Sequence, residues 1–292
     1  MQRADQLASN YLATLTNQLV GAHDDRSSGF DRLDQDIPAW LHEDRFVVVA
    51  GRPGTGKSAW AQQLAEYVAS HGRTTLFFSL EMSAQEIAER SVARTTGITV
   101  SQQQHPHRLT IEQWKHIQDA LERFAKTSLW IDDHSASLVE ILATVERLAQ
   151  TDPHPLGLVV VDYVQLVEAS GANRNLEIGA ITRGLKRLAT KLHVPVVALS
   201  QLNRAVDGRE NKRPTLRDLR ESGNIEQDAD LVLFLYRPSY YTAKEETRED
   251  MEIIVAKNRH GARGITQMQF VGHRLQYRDV HSDIEKEILQ HG

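Results

Sequence analysis

Length, composition and charge place wide limits on this chain. Its 292 residues suit one large α/β domain or two small ones, and 40% hydrophobic with 25% charged residues is the composition of an ordinary soluble protein. No apolar run approaches the ~20 residues of a membrane span, and the first ten residues lack a signal-peptide pattern. The absence of cysteine excludes disulfides and thiolate metal sites and fits a cytoplasmic protein, while the net charge of −5 gives no overall indication of nucleic-acid binding.

The first predicted element is a short amphipathic helix over Asp5–Val20. A polar break at Asp24–Ser28 separates it from the rest of the chain. The helix therefore needs a partner for its apolar face, which is either its own domain or a neighbouring subunit. That face is one stripe at helical spacing, formed by Ala8, Leu12, Leu15 and Leu19.

From Phe46 onwards, predicted strands and helices alternate, which favours a mostly parallel sheet. The strands of this part are expected at Phe46–Ala50, Thr75–Leu80, Ser128–Asp132, Gly157–Asp162 and Val194–Ser200. Helices are expected over Ala59–Ser70, after the capping boxes that begin at Ser83 and Ser137, from Thr110 to Lys126, and over Leu176–Leu192.

The last third of the chain changes character. Short turns join its predicted strands, which indicates hairpins added to one edge of the sheet. These strands are expected at Leu231–Tyr236, Glu252–Lys257, Thr266–Val271 and Leu275–Arg278. The acidic, polar tail after His281 is predicted to be a frayed helix.

Between the first strand and the first helix of the alternating part lies a glycine-rich loop. The segment Gly51-Arg52-Pro53-Gly54-Thr55-Gly56-Lys57-Ser58 fits the phosphate-binding pattern GxxxxGK[ST] at every fixed position. A strand that leads through such a loop into a helix gathers backbone N–H groups at the positive end of that helix, and this suits a polyphosphate. Lys57 is expected to reach the β- and γ-phosphates, and the Ser58 hydroxyl is expected to hold Mg²⁺.

Hydrolysis needs further groups near the phosphates. Asp162 ends an apolar strand, where a metal-directing carboxylate belongs. The next residue is Tyr163, so a glutamate directly after the aspartate, as in many ATPases, is not available to activate water. Glu81, just beyond another strand, is the substitute candidate, because Glu86 already fills the capping position. Gln201 ends the following strand and is a candidate to hydrogen-bond the γ-phosphate and report its loss.

These segments together resemble the hexameric replicative DNA helicases of the DnaB type, in the RecA-like motor domain. The resemblance covers roughly Ser28 to Arg278 and is carried, in the family's order, by GRPGTGKS, FSLEMS, VVVDYVQLV, ALSQLNR, LRESGNIEQDADLVLFLYR and AKNRHG. It implies an α/β fold of the RecA-like P-loop NTPase class, with a mostly parallel central sheet flanked by helices and antiparallel hairpins towards the C-terminus. It also implies an ATP- and Mg²⁺-dependent motor that moves 5′ to 3′ on single-stranded DNA.

The resemblance also implies roles for individual residues. Glu81 is the catalytic base, Asp162 organises the metal through water, and Gln201 couples the nucleotide state to DNA. Lys257 and Arg259 resemble the arginine finger and its lysine companion, which enter the ATP site of the neighbouring subunit. Arg237 and Phe270 hold the places that sandwich the adenine in related ring helicases, although Phe270 also fits a core position.

Two basic segments are candidates for DNA contact, and solvated surface is the alternative interpretation of each. The first runs from Gly171 to His193 and includes Arg174 and Arg183; the second runs from Asn203 to Gly223 and includes Arg204. Both follow strands that bear predicted site residues. The LRESG match implies that Arg220, Glu221 and the Gly223 backbone contact phosphates of the strand. Few aromatic residues lie in either segment, so we expect backbone tracking with little sequence preference.

The resemblance divides the chain into a linker helix and polar break (1–27), a motor domain (28–280) and a polar tail (281–292). It implies a homo-hexamer held by the linker helix and the arginine finger, with a helicase loader as a further candidate partner. No collar domain precedes the linker helix here, so primase binding is not carried over from the family. Two other functions remain open: a RecA-like ATPase that remodels DNA without unwinding it, and a nucleotide-switched partner of a host helicase ring.

Overall fold

The computed structural model describes Leu12 and residues 27–219, 223–241 and 249–280. Apart from Leu12, the helix expected over Asp5–Val20 lies outside these residues, as does the tail 281–292. Within the described part, no helix is long and apolar enough to cross a membrane.

A nine-stranded sheet forms the centre of the molecule. The strands are β1 Phe46–Gly51, β2 Thr74–Ser79, β3 Leu129–Asp132, β4 Leu156–Asp162, β5 Val196–Gln201, β6 Leu231–Tyr236, β7 Glu249–Asn258, β8 Ile265–Val271 and β9 Gln276–Asp279. Their order is β3-β2-β4-β5-β1-β6-β7-β8-β9. The first six in that order are parallel, and β7, β8 and β9 continue the sheet antiparallel, as the sequence predicts.

Helices cover both faces of the parallel part. They are α1 Asp31–Asp36, α2 Lys57–Ser70, α3 Ala84–Thr96, α4 Val100–Gln103, α5 Ile111–Ala125, α6 Leu138–Thr151, α7 Arg174–Leu192 and α8 Gly223–Asp228. Strand β1 explains the layering, because it is buried on both sides. Val47 and Val49 pack with α2 in one core, while Val48 and Ala50 pack with α6 and α7 in the other. An uninterrupted apolar run is what a parallel strand between two helical layers requires.

The elements predicted from Phe46 to Arg278 are confirmed, with shifts of up to three residues at their ends. The capping boxes at Ser83, Thr110 and Ser137 begin their helices as expected. Strand β5 begins at Val196 and not at Val194, because Pro195 between them has no N–H to donate. Strand β7 begins three residues earlier than predicted, since its pairing with β8 extends to Glu249. The sequence did not predict three short helices, α1, α4 and α8, of six, four and six residues.

Candidate active site

The phosphate loop lies between the end of β1 and the start of α2. Gly51 is the last residue of β1 and Lys57 the first of α2. Gly56 caps the helix with a φ of 95°, in the left-handed region. A Cβ at Gly56 would come within 2.5 Å of the Tyr277 hydroxyl oxygen. Glycine is therefore required here both by the backbone conformation and by the lack of space.

Strand register brings the other predicted site residues to the carboxyl ends of the parallel strands, where the phosphate loop lies. Gln201 pairs with Gly51 across β5 and β1, and Asp162 pairs with Ser79 across β4 and β2. Glu81 follows two residues after Ser79 and is exposed. A cavity of about 450 Å³ opens at these ends of the strands. The predicted residues that line it are Pro53, Gly54, Gly56, Lys57, Ser58, Glu81, Gln201, Arg237 and Phe270.

Lys57 and Asp162 face each other in a buried, polar setting. Burial lowers the pKa of Lys57 to about 8, against the opposing effects of Asp162 and Glu81. Burial raises the pKa of Asp162 to about 6, although the Ser58 hydroxyl donates to this carboxylate and Lys57 lies nearby. The Lys57 ammonium donates to the carbonyl oxygen of Arg52 at 3.1 Å. Lys57 and Asp162 thus have few hydrogen-bond partners. Lys57 can still bind a phosphate, and Asp162 can still bind a metal ion.

The oxygen atoms at this point fit a magnesium ion. Asp162 is 1% exposed, and its Oδ2 has no hydrogen-bond partner among the described residues. Buried carboxylate oxygens are normally satisfied, so an unpartnered one beside a hydroxyl marks a place for a hard cation or its water. Ser58 supplies that hydroxyl. In the described residues, no group of three or more His, Cys, Asp or Glu side chains forms an alternative metal site.

Arg237 and Phe270 also line the cavity, and Phe270 lies beside the phosphate loop, 3.5 Å from the place of a Cβ on Gly56. The Arg237 guanidinium stands 5.8 Å from the centroids of both the Phe270 ring and the Tyr240 ring. Phe270 is only 4% exposed and packs on Tyr277 with ring centroids 4.9 Å apart. Both interpretations of Phe270 are therefore compatible with its position: its ring belongs to the core, and one edge lines the cavity.

Three residues of the cavity region escaped the sequence analysis. Arg90, on α3, lines the cavity near Glu81, and no ion pair engages it in the described part of the chain. Tyr163 lines it directly after Asp162. The Tyr277 hydroxyl, on β9, donates to the buried carbonyl of Thr55 at 3.1 Å and so supports the phosphate loop from below. Arg90 could have been found from its place on a helix that starts beside Glu81; Tyr277 carries no local signal.

Two residues of the phosphate loop act through contacts away from the cavity. Thr55 is 2% exposed, and its hydroxyl donates to the Arg52 carbonyl at 2.8 Å, which holds the turn closed. The Arg52 side chain does not line the cavity. It binds Asp207 and the carbonyl of Leu202, in the segment that follows β5.

Lys257 and Arg259 lie at the opposite end of the strands from the phosphate loop. Asn258 is level with Leu231, which is level with Val47 on β1, four residues before Gly51. At about 3.3 Å per strand residue, the end of β7 is roughly 13 Å from the level of the loop. Both side chains bind the C-terminal carbonyls of α8: Lys257 that of Glu226, and Arg259 that of Gln227.

The basic side chains of the two predicted DNA-contacting segments differ in their positions and in their partners. Arg174 pairs with Glu177 at 2.6 Å and donates to the Gln165 carbonyl, close to the end of β4. Arg183 lies nine residues further along α7, about half a turn round the helix, and lines a groove against α6. The structure does not bring these two arginines together.

In the second segment, several basic side chains are engaged within the molecule. Arg209 pairs with Asp218 at 2.7 Å, and Arg213 binds Glu252 through two nitrogens. Arg204 is exposed at the start of a 3₁₀ turn, Arg204–Gly208. Arg220 and Glu221 lie outside the described residues, and Gly223 is the first residue of α8.

Comparison with known proteins gives a consistent result. Residues 26–279 match the family described as the DnaB-like helicase C terminal domain. The chain is 41% identical over 249 residues to the replicative DNA helicase DnaB of Geobacillus stearothermophilus and 42% identical over 250 residues to that of Pasteurella multocida. These matches cover 84% of this chain and 54% and 53% of the relatives. The chain thus spans about half the length of the curated relatives it matches.

Solved structures agree with the sequence comparison. A structure described as an ATPase domain superposes with a TM-score of 0.84 at 32% identity, over 94% of this chain and 98% of that domain. A DnaB-like replicative helicase, described with its interactions with primase, superposes with a TM-score of 0.83 at 32% identity, over 93% of this chain and 66% of the other. The α/β fold with antiparallel C-terminal strands is that of the RecA-like motor domain.

Proposed function

Because this chain belongs to the family of DnaB-like helicase C-terminal domains, we propose that it is the ATP-driven motor of a replicative DNA helicase. In this proposal it hydrolyses ATP with Mg²⁺ and moves 5′ to 3′ on single-stranded DNA as a hexameric ring. The observation that supports it is the distance between the phosphate loop and Arg259, which the proposal assigns to two halves of a shared active site. The phosphate loop lies at one end of the strands, and Arg259 lies at the other.

The phosphate-loop half would bind the nucleotide. Lys57 would exchange its bond to the Arg52 carbonyl for the β- and γ-phosphates, and the backbone of residues 51–58 would hold the triphosphate at the positive end of α2. Ser58 and Asp162 would hold Mg²⁺, the latter through water. The bound ion would supply charge neutralisation on the phosphate oxygens. Arg237 and Phe270 would contact the adenine.

The cavity also contains the groups that we propose for hydrolysis. Glu81 lines the cavity and would accept a proton from the attacking water. Gln201, at the end of β5, also lines it and would hydrogen-bond the γ-phosphate and respond when it leaves. Arg90 adds a guanidinium on the same side as Glu81, so we propose that it binds the γ-phosphate.

The second half of the site would come from the neighbouring subunit. In this proposal Arg259 does not serve the phosphate loop of its own chain, because the two lie at opposite ends of the strands, roughly 13 Å apart along them. Its side chain is 42% exposed and is held by Asp230 at 3.3 Å, so it points from a defined position to the molecular surface. Burial and the nearby Arg259 lower the pKa of Lys257. We propose that this pair completes the ATP site of the next subunit around the ring.

The DNA would contact the ends of the strands that carry the site. Arg174 follows β4 and Arg204 follows β5, and Arg220, Glu221 and Gly223 continue the second segment. Arg183 is a weaker member of this set, since it lies on the opposite face of α7 from Arg174.

The same proposal covers the organisation of the chain. It includes the division into linker helix (1–27), motor (28–280) and tail (281–292), the linker-mediated hexamer, a loader as partner and a cytoplasmic location.

Unwinding assays test the proposal. On a forked duplex with a free 5′ tail, the protein should displace the strand in the presence of Mg²⁺ and ATP. Single-stranded DNA should raise its ATP turnover, and added salt should weaken DNA binding steeply, since phosphate contacts dominate affinity. Turnover that rises with DNA but displaces no strand would indicate a DNA-remodelling ATPase. Nucleotide binding without turnover would indicate a switched partner of another ring.

A further inference from the structure

Arg52 occupies a variable position of the phosphate loop, yet its side chain makes its hydrogen bonds outside the loop. It is 7% exposed, and all three of its guanidinium nitrogens are engaged. Nε and Nη2 bind the two oxygens of Asp207 at 3.1 and 2.7 Å, and Nη1 donates to the Leu202 carbonyl at 3.1 Å. A two-point arginine–carboxylate contact fixes both distance and orientation. Arg52 therefore attaches the phosphate loop to the segment that follows β5.

That segment already has one connection to the nucleotide site. It begins at Gln201, whose side chain lines the cavity, and the Arg52–Asp207 pair adds a second connection six residues later. Between the two connections lies Arg204, which is exposed and in the proposed DNA-contacting set. The segment therefore reaches the nucleotide site at both ends, through Gln201 and through Asp207.

The segment is also continuous with the second group of proposed DNA contacts. Leu202 forms a β-bridge with Leu219, and the Asn203 N–H donates to the Asp218 carbonyl at 2.8 Å. Residues 220–222 follow directly. A shift of the segment near Asp207 is thus carried by backbone hydrogen bonds to the residues that precede Arg220.

The backbone of Arg52 contacts the lysine that would bind the phosphates. Its carbonyl accepts hydrogen bonds from the Lys57 ammonium at 3.1 Å and from the Thr55 hydroxyl at 2.8 Å. Phosphates would compete with this carbonyl for the Lys57 ammonium. Lys57 therefore has two discrete partners, a backbone oxygen of Arg52 or a phosphate, and the choice between them changes the forces on the residue that holds Asp207.

We propose that the Arg52–Asp207 ion pair transmits nucleotide binding at the phosphate loop to the DNA-contacting segment of the same subunit. Asp207 is then a positioning residue for DNA-stimulated hydrolysis, acting through Arg52. This inference rests on the proposed function, because it requires that the chain bind both ATP and single-stranded DNA. It adds a connection that is separate from Gln201 and does not touch the nucleotide.

The test measures the coupling between the two ligands directly. We would determine the Kd of a fluorescent oligo(dT) with and without a non-hydrolysable ATP analogue, and the Kd of the analogue with and without oligo(dT). By linkage, both ratios in the wild-type protein should be equal, and couplings of this kind are typically about 5–150-fold. In Asp207→Asn the ratio should fall towards one from both directions. The Kd of the analogue without DNA should stay at the wild-type value.

Glu252→Gln is the matched control. It removes a second ion pair, Arg213–Glu252, from the basic segment that runs from Asn203 to Gly223. This pair attaches that segment to β7 and not to the phosphate loop. This variant should keep the wild-type coupling, as should the charge-conserving Asp207→Glu. If Glu252→Gln loses as much coupling as Asp207→Asn, general loosening of the segment is the cause and the proposal is wrong.

A double-mutant cycle assigns the effect to the contact. If the ion pair carries it, Arg52→Gln with Asp207→Asn should lose no more coupling than either change alone. Full wild-type coupling in Asp207→Asn, with or without a lower Tm, overturns the inference alone. Absence of any coupling in the wild-type protein instead contradicts the proposed function, and the two failures are distinguishable in the same titrations.

Discussion

Burial gives the two central charges of the site pKa values that limit the pH range of activity. The pKa of Asp162 is raised to about 6, so this carboxylate loses its charge as the pH falls through that value. The pKa of Lys57 is lowered to about 8, so the ammonium loses its charge as the pH rises through that value. Both groups are charged together only between these limits, which is where a metal-bound triphosphate needs them.

We therefore expect kcat/KM for Mg-ATP to be largest between about pH 6 and pH 8, since this parameter reports the ionisation of the free enzyme. It should fall on both sides, by about tenfold per pH unit. Nucleotide binding without Mg²⁺ is the control. Its acid limb should disappear, because Asp162 acts through the metal, while the alkaline limb due to Lys57 should remain. A flat profile between about pH 5 and pH 9 would show that neither group controls activity.

The phosphate loop requires glycine at position 56 for two separate reasons, backbone conformation and lack of space. Gly56 in the loop and Gly72 just after the far end of α2 both have positive φ values, 95° and 74°. A Cβ at Gly56 would lie 2.5 Å from the Tyr277 hydroxyl, whereas a Cβ at Gly72 would meet nothing within 4 Å. The backbone strain is thus similar at both positions, and only Gly56 adds a clash beneath the loop.

Alanine substitution separates these two effects. Gly72→Ala should lower the free energy of unfolding by about 1–2 kcal/mol, the cost of a left-handed backbone for a residue with a Cβ. Its affinity for nucleotide should not change. Gly56→Ala should lose nucleotide binding as well, because the Tyr277 hydroxyl must leave the Thr55 carbonyl that it supports. Thermal unfolding and titration with a fluorescent ATP analogue measure both quantities. Equal nucleotide affinity in the two variants would contradict the role assigned to Tyr277.

Local sequence patterns predicted the elements and the phosphate site because the relevant signals are local. The loop from Gly51 to Ser58 carries its own geometry, and Asp162 and Gln201 were found because parallel strands end at a common edge. The contacts that escaped are between distant residues. Arg52 is separated from Asp207 by 155 residues, and Tyr277 from Thr55 by 222, and no periodicity links them. For the same reason the sequence does not show that Glu252, 39 residues away, engages the basic side chain of Arg213.

For the whole molecule, the position of Arg259 decides what kind of enzyme the chain can be. If Arg259 is the arginine finger, as proposed, it lies at the end of the strands opposite the phosphate loop of its own chain, and the monomer has no complete site. Repetition of one heterologous contact would then close a ring, in which each interface joins the loop of one subunit to the finger of the next. Activity should therefore depend on assembly, and each subunit should influence its neighbour's turnover.

Complementation between two inactive variants measures this most directly. Lys57→Ala retains the finger but lacks the phosphate-binding lysine, and Arg259→Ala retains the loop and should still bind nucleotide without turning it over. Each alone should be inactive in ATP hydrolysis with single-stranded DNA. When the two are co-expressed and purified as mixed rings, about a quarter of the interfaces should combine an intact loop with an intact finger, and turnover should return in that proportion. The double variant mixed with Arg259→Ala should restore nothing. Wild-type turnover in Arg259→Ala alone, or no recovery in the mixed rings, would contradict a site shared between subunits.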